Sequence, residues 1–157
     1  MVETNLQGCR PADGSYTDLY LHSRNDGLGK SILACTRGEV AAYCKDLACA
    51  YLEKCGLEII GRGWRSSVGA ADIVARDGRW GILVEVRSSV LKTEAREDPV
   101  EIVVGTKTRA YFRNSTISYF AKHASLDGVR YDVIAMRLHD GYEAKLRHFV
   151  GAFGLRQ

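Results

Sequence analysis

The sequence predicts an α/β fold: a mixed central sheet flanked by helices, in the order helix, three strands, helix, two strands. Three observations carry this. Apolar residues recur at helical spacing in two segments, one beginning at Gly38 and one at Thr106. Short runs rich in Val, Ile and Tyr lie between and after them, two of which bend back across Asp77-Gly78. The chain has 157 residues, 46% hydrophobic and 26% charged, the size and balance of one globular domain.

Taken in order, residues 1 to about 35 are rich in Gly, Asp, Asn and Ser and lack periodicity, so they are expected to form a loosely ordered extension to a domain spanning 36–157. Within them, Gly27-Leu28-Gly29-Lys30-Ser31 resembles the tail of a phosphate-binding loop. The full pattern needs a glycine where Arg24 stands, and no strand leads in, so no nucleotide cofactor is implied. Val40, Cys44, Leu47, Ala48, Tyr51 and Cys55 then form a helical stripe that Gly56 ends, with Glu39 in the first turn. Leu57–Ile60, Asp72–Arg76 and Trp80–Arg87 read as strands. A polar loop over 88–103 is long enough to be a lid or plain connecting chain. Thr106 to about His123 is the second helix, and Tyr131–Met136 and Tyr142–Leu146 are strands about an Asp140-Gly141 turn.

Several classes are excluded at this stage. No apolar run approaches the roughly 18 residues needed to span a bilayer. The opening residues lack a basic segment followed by an apolar one, so the expected compartment is the cytoplasm and no membrane partner is expected. The five cysteines show no Cys-x-x-Cys spacing and read as free thiols. A net charge of +3 is too small to identify a nucleic-acid partner. Its distribution says more: residues 102–126 carry Lys107, Arg109, Arg113 and Lys122 with no acidic residue. With Tyr111 and Phe112 interleaved, that helix could track a phosphate backbone or simply present a solvated basic face.

The hairpin raises the chemical question. With Asp77 and Gly78 alone at the turn, Asp72 faces Leu83, and Glu85 and Arg87 share its side of the ribbon; Ile73, Ala75, Ile82, Val84 and Val86 take the other side as core. Two neighbouring carboxylates repel unless a positive charge lies between them. Arg87 could supply it, giving an ion-pair cluster, or a divalent metal could. Spacing alone favours the cluster, since ion-pair networks are commoner than active sites.

The order of short motifs adds to this. Gly38-Glu39, Tyr51–Gly56, Trp64-Arg65, Gly69–Gly78, Leu83–Ser88, Lys107, Arg130–Asp132 and His148–Phe153 together resemble the YraN family of bacterial proteins, within the PD-(D/E)XK nuclease superfamily. The resemblance covers residues 37 to 153. It implies a restriction-endonuclease-like core, with Glu39, Asp72 and Glu85 as Mg²⁺ (or Mn²⁺) ligands, Asp72, Glu85 and Arg87 as the catalytic set, and DNA as the partner. Lys107, Arg109 and Arg113 would contact nucleic acid, with Lys107 matching a family lysine. Phosphodiester cleavage by such a site needs metal-activated water and charge stabilisation at phosphorus.

This sequence departs from the family pattern at two points. Arg87 stands where the superfamily usually has lysine; its pKa above about 12 keeps the charge but excludes a general-base role. Gly69-Ala70-Ala71-Asp72 stands where Gly-Glu-Ile-Asp is usual, so a carboxylate is missing two residues before Asp72. The expectations are therefore a metal-dependent nuclease acting on DNA, branched or damaged forms included, or a nucleic-acid-binding module on the same fold with weakened chemistry. A third reading is a partner-binding protein whose acids form only an ion-pair cluster. Trp64-Arg65 could border the site, although a core tryptophan is the simpler reading. Asp132 is expected to pair with Arg130, and His148 to pack and hydrogen-bond.

Overall fold

The structure, a computed structural model, describes residues 16–22, 30–91, 106–139 and 143–156. Its elements are β1 (Tyr16–His22), a 3-10 turn (Ile32–Ala34), α1 (Arg37–Lys54), β2 (Glu58–Arg65), β3 (Ala70–Asp77), β4 (Trp80–Leu91), α2 (Thr106–Ala121), β5 (Gly128–His139) and β6 (Glu143–Arg156). The strands form one mixed sheet in the order β1-β6-β5-β4-β3-β2. Every pairing is antiparallel except β4 with β5, which is parallel. Parallel neighbours need a crossover, and α2 lies within it. This is the α/β layout that the sequence predicts, a mixed sheet flanked by helices in the order helix, three strands, helix, two strands, with one strand added.

The added strand is β1. The sequence assigns no element to residues 1–35, yet Tyr16–His22 pairs along β6 from Tyr16↔Phe149 to His22↔Glu143. An edge strand is held by its neighbour's backbone more than by its own propensity, so a seven-residue segment gives no local signal. Residues 1–15, 23–29, 92–105, 140–142 and 157 lie outside the described residues, among them most of the expected 88–103 loop and the expected Asp140-Gly141 turn; residues 88–91 extend β4 instead.

α1 begins with a capping box: the Thr36 hydroxyl accepts from the Glu39 amide at 3.2 Å, and the Thr36 amide donates to Glu39 Oε2 at 2.7 Å. The predicted stripe of six is buried throughout. It covers one side of the sheet, packing on Ile73, Ile82, Val84, Ile134 and Met136. α2 covers the other side, where Phe112 and Tyr119 join Val74, Leu83, Tyr131 and Val133. The central strands are thus dry on both faces, as expected where a parallel pair lies at the centre of a sheet. Each fully buried aliphatic side chain contributes about 1.5–3 kcal/mol relative to exposure.

The hairpin register differs from the simplest expectation by two residues. Asp77 pairs with Trp80 and Ile73 with Val84, so Gly78 (φ 57°) and Arg79 form the turn. A two-residue shift preserves which side chains share a face. Of the predicted core set, Ile73, Ala75, Ile82 and Val84 are therefore found buried, and Val86, beyond the end of the ladder, is partly buried against them.

Candidate functional site

Beyond the Ile73↔Val84 pair the β3–β4 ladder stops, while β4 runs on to Leu91 beside β5. Asp72 sits at this fork, where its Oδ2 accepts from the Val86 amide at 2.8 Å. The carboxylate thereby takes over as partner to a strand amide and is fixed in place. Its Oδ1 lies 3.0 Å from Lys45 Nζ, which reaches across from α1. Glu85 Oε1 accepts from Arg87 Nε at 3.1 Å, two residues along the same strand. The two carboxylates are thus each compensated by a different cation, which is why the hairpin tolerates them.

These groups line a cleft of about 550 Å³. Its far wall is α2, where Lys107 and Tyr111, one turn apart, face inward; Trp64 and Arg65 at the end of β2 close another side. The floor is rigid. The Tyr131 and Tyr111 hydroxyls both donate to the Ala70 carbonyl, at 2.7 and 3.3 Å, and Tyr131 stacks on Phe112 with ring centroids 4.2 Å apart. Burial, and then the nearby Glu85 charge, push the Tyr131 phenol well above its ordinary pKa, so it remains a donor. Lys45, Arg65, Arg87 and Lys107 stand against Asp72 and Glu85, an excess of two positive charges. Arg65 and Lys107 have no ion-pair partner among the described residues.

Of the residues expected from sequence, the cleft brings together Asp72, Glu85, Arg87 and Lys107. Arg109 and Arg113 are exposed and do not line it. Two residues along a helix turn a side chain by about 200°, so Arg109 points away from the side that Lys107 presents. Glu39, expected as a metal ligand, does not join the cleft. Its carboxylate closes the capping box and pairs with Lys30 Nζ at 3.0 Å. Those hydrogen bonds, the Thr36 amide foremost, hold it below the ordinary carboxylate range. Lys45 lies six residues further on, about 9 Å along the axis and about 240° around it, and occupies the position over Asp72.

Sequence reasoning missed Lys45. Its only signal is its place outside the apolar stripe of α1, on the turn after Glu39. Trp64 combines both expected readings: it is half-buried, edge-on to Tyr119 at 5.4 Å, and it borders the cleft.

The resemblance implies a bound divalent cation, but the donors do not fit one. No group of three or more His, Cys, Asp or Glu side chains that could hold a metal ion occurs among the described residues. Both Asp72 oxygens are engaged, and an ion beside them would meet the Lys45 and Arg87 charges.

Comparison with known proteins supplies the family. Residues 45–136 match the model of the uncharacterised protein family UPF0102. A UPF0102 protein of Rhodococcus opacus (strain B4) is 33% identical over 117 residues, covering 73% of this chain and 95% of its own. Another, from Syntrophotalea carbinolica, is 38% identical over 111 residues, covering 69% of this chain and 86% of its own. The chain belongs to UPF0102. The family match begins at Lys45 and takes in Asp72, Glu85, Arg87 and Lys107; Glu39 lies outside it. No helix among the described residues is long and apolar enough to cross a membrane.

Proposed function

We propose that this UPF0102 protein binds the phosphodiester backbone of nucleic acid, DNA in the first instance, in the cleft at the β3–β4 fork. On this reading it is a nuclease-like fold whose hydrolytic chemistry is weakened. The observation that carries it is the cleft's charge balance: both carboxylates are already paired, while Arg65 and Lys107 line the wall with no such partner among the described residues. Such a cleft attracts phosphate oxygens and repels free cations. Trp64 and Tyr111 at its rim offer faces on which an unpaired base can stack. Branched or frayed DNA, which presents both a backbone and unstacked bases, suits it better than intact duplex.

The test is fluorescence anisotropy with labelled duplex, flapped and four-way DNA at low salt. Binding to the branched forms, weakened roughly tenfold or more by the Arg65→Ala, Lys107→Ala double variant, is the expected result. No binding of any form at low salt would refute the reading.

Metal-dependent hydrolysis, which the resemblance implies, has the meeting of Asp72 and Glu85 in one cleft in its favour and the pairing of both acids with cations against it. It requires divalent-dependent cleavage of the same DNA panel that disappears in Glu85→Ala.

A further inference from the structure

We propose that the Lys45 ammonium is a tethered substitute for a divalent cation, so that the cleft holds a phosphate group directly and without metal. The proposal rests on the phosphate-binding reading above and identifies the groups that make the contact.

In a metal-dependent phosphodiester site, a cation lies between a carboxylate on the sheet and the phosphate. Here the cation on Asp72 Oδ1 is Lys45 Nζ, at 3.0 Å, delivered from a different element. Asp72 cannot turn away to seek another partner, because Oδ2 is held by the Val86 amide. An ammonium carries three donors, and Asp72 takes one, leaving two to aim at phosphate oxygens. Arg87 is braced in the same manner: Nε is held by Glu85, which leaves the terminal guanidinium nitrogens for a second oxygen pair. Both cations are partly exposed, Lys45 at 41% and Arg87 at 34% of the side chain, so a ligand can reach them. Each acid then positions a cation, where the resemblance would have it bind metal. Ala70, which carries no carboxylate beside them, is consistent with the same arrangement.

The experiment compares DNA affinity in EDTA and in Mg²⁺, together with melting temperature in Mn²⁺. Wild type is expected to bind equally in EDTA and Mg²⁺ and to show no Mn²⁺-dependent shift. Lys45→Met, which keeps the stem and removes the charge, should weaken binding in EDTA roughly tenfold, and Lys45→Arg should retain most of it. Lys45→Glu would place a third carboxylate beside Asp72 and Glu85, and its melting temperature should rise with Mn²⁺.

Wild-type binding that vanishes in EDTA and returns with Mg²⁺ would overturn the substitution while leaving the cleft a nucleic-acid site. So would Lys45→Met binding as tightly as wild type in EDTA. Failure to bind DNA under either condition would instead defeat the underlying reading.

Discussion

Asp132 shows a carboxylate with a structural role, buried away from the cleft that Asp72 and Glu85 line. It is fully buried, and it accepts from Arg130 Nε at 3.0 Å and the Gly151 amide at 2.9 Å, with His148 Nε2 2.9 Å away. His148 Nδ1 in turn lies 3.1 Å from the Tyr51 hydroxyl, so the cluster ties β5 and β6 to α1. Burial opposes its ionisation, but His148, Arg130 and the Gly151 amide outweigh it and lower its pKa. A carboxylate depressed in the folded state contributes its full stability above the ordinary carboxylate range, near pH 4, and loses it as pH falls through the folded value. Asp132→Asn is expected to flatten the acid limb of a stability-against-pH curve from chemical denaturation. Asp132→Ala should cost about 3–5 kcal/mol, since it leaves buried partners uncompensated. An unchanged acid limb in Asp132→Asn would mean that the charge has no such role. The Arg130–Asp132 pairing was legible two residues apart on one strand. The partnership with His148 and Tyr51 was not, because it joins residues 97 positions apart through the fold.

Among the elements, the close approach of the β2–β3 loop to α2 sets the width of the cleft. A Cβ at Gly69 would lie 1.9 Å from Ser115 Oγ and 2.9 Å from the Ser115 backbone. Gly69→Ala is therefore expected to push α2 outward, costing about 1–3 kcal/mol in urea denaturation and weakening DNA binding as Lys107 and Tyr111 recede. Ser115→Ala should not rescue it, because the clash with the helix backbone remains; full rescue would show that the hydroxyl alone was in the way. α1 provides the contrasting case. Glu39→Ala removes half of a capping box and should lower the melting temperature, yet leave DNA affinity unchanged, because the residue does not line the cleft. Reduced affinity in that variant would return Glu39 to the site. The helices were readable because a stripe such as Val40, Cys44, Leu47 and Tyr51 repeats over many turns. The β3–β4 hairpin was readable in its faces but not in its register, since a shift of two residues keeps every apolar side chain on the same side. What sequence could not show was which α1 residue crosses the fork: Glu39 and Lys45 are both polar positions beside the same stripe, and only the docking angle of the helix decides between them.

At the scale of the whole molecule, the proposed function rests on a sheet whose central strands are buried on both faces and whose β3–β4 ladder opens at a fork. Two cores, one under α1 and one under α2, cover the sheet's central strands. At the β3–β4 fork the ladder ends, a strand amide takes Asp72 as its partner, and Glu85 and the cleft cations gather beside it. The thiols follow the same division. Cys44, Cys49 and Cys55 are buried thiols, with Cys44 pushed up to about 12 by desolvation, whereas Cys35 is half-exposed. Under native conditions Cys35 should be alkylated ahead of those three, with Cys44 reacting only on unfolding; peptide mapping after timed labelling measures this. Early modification of Cys44 would mean that the α1 face of the core opens readily.

The central claim is that the fork binds a phosphate backbone through its own cations. Its most direct measurement is the affinity for a labelled branched DNA in EDTA as a function of salt. Binding is expected to weaken steeply with salt, with a log–log slope that becomes shallower by about one for each of Arg65 and Lys107 replaced by alanine. An affinity independent of salt, or a slope unmoved by either replacement, would contradict it.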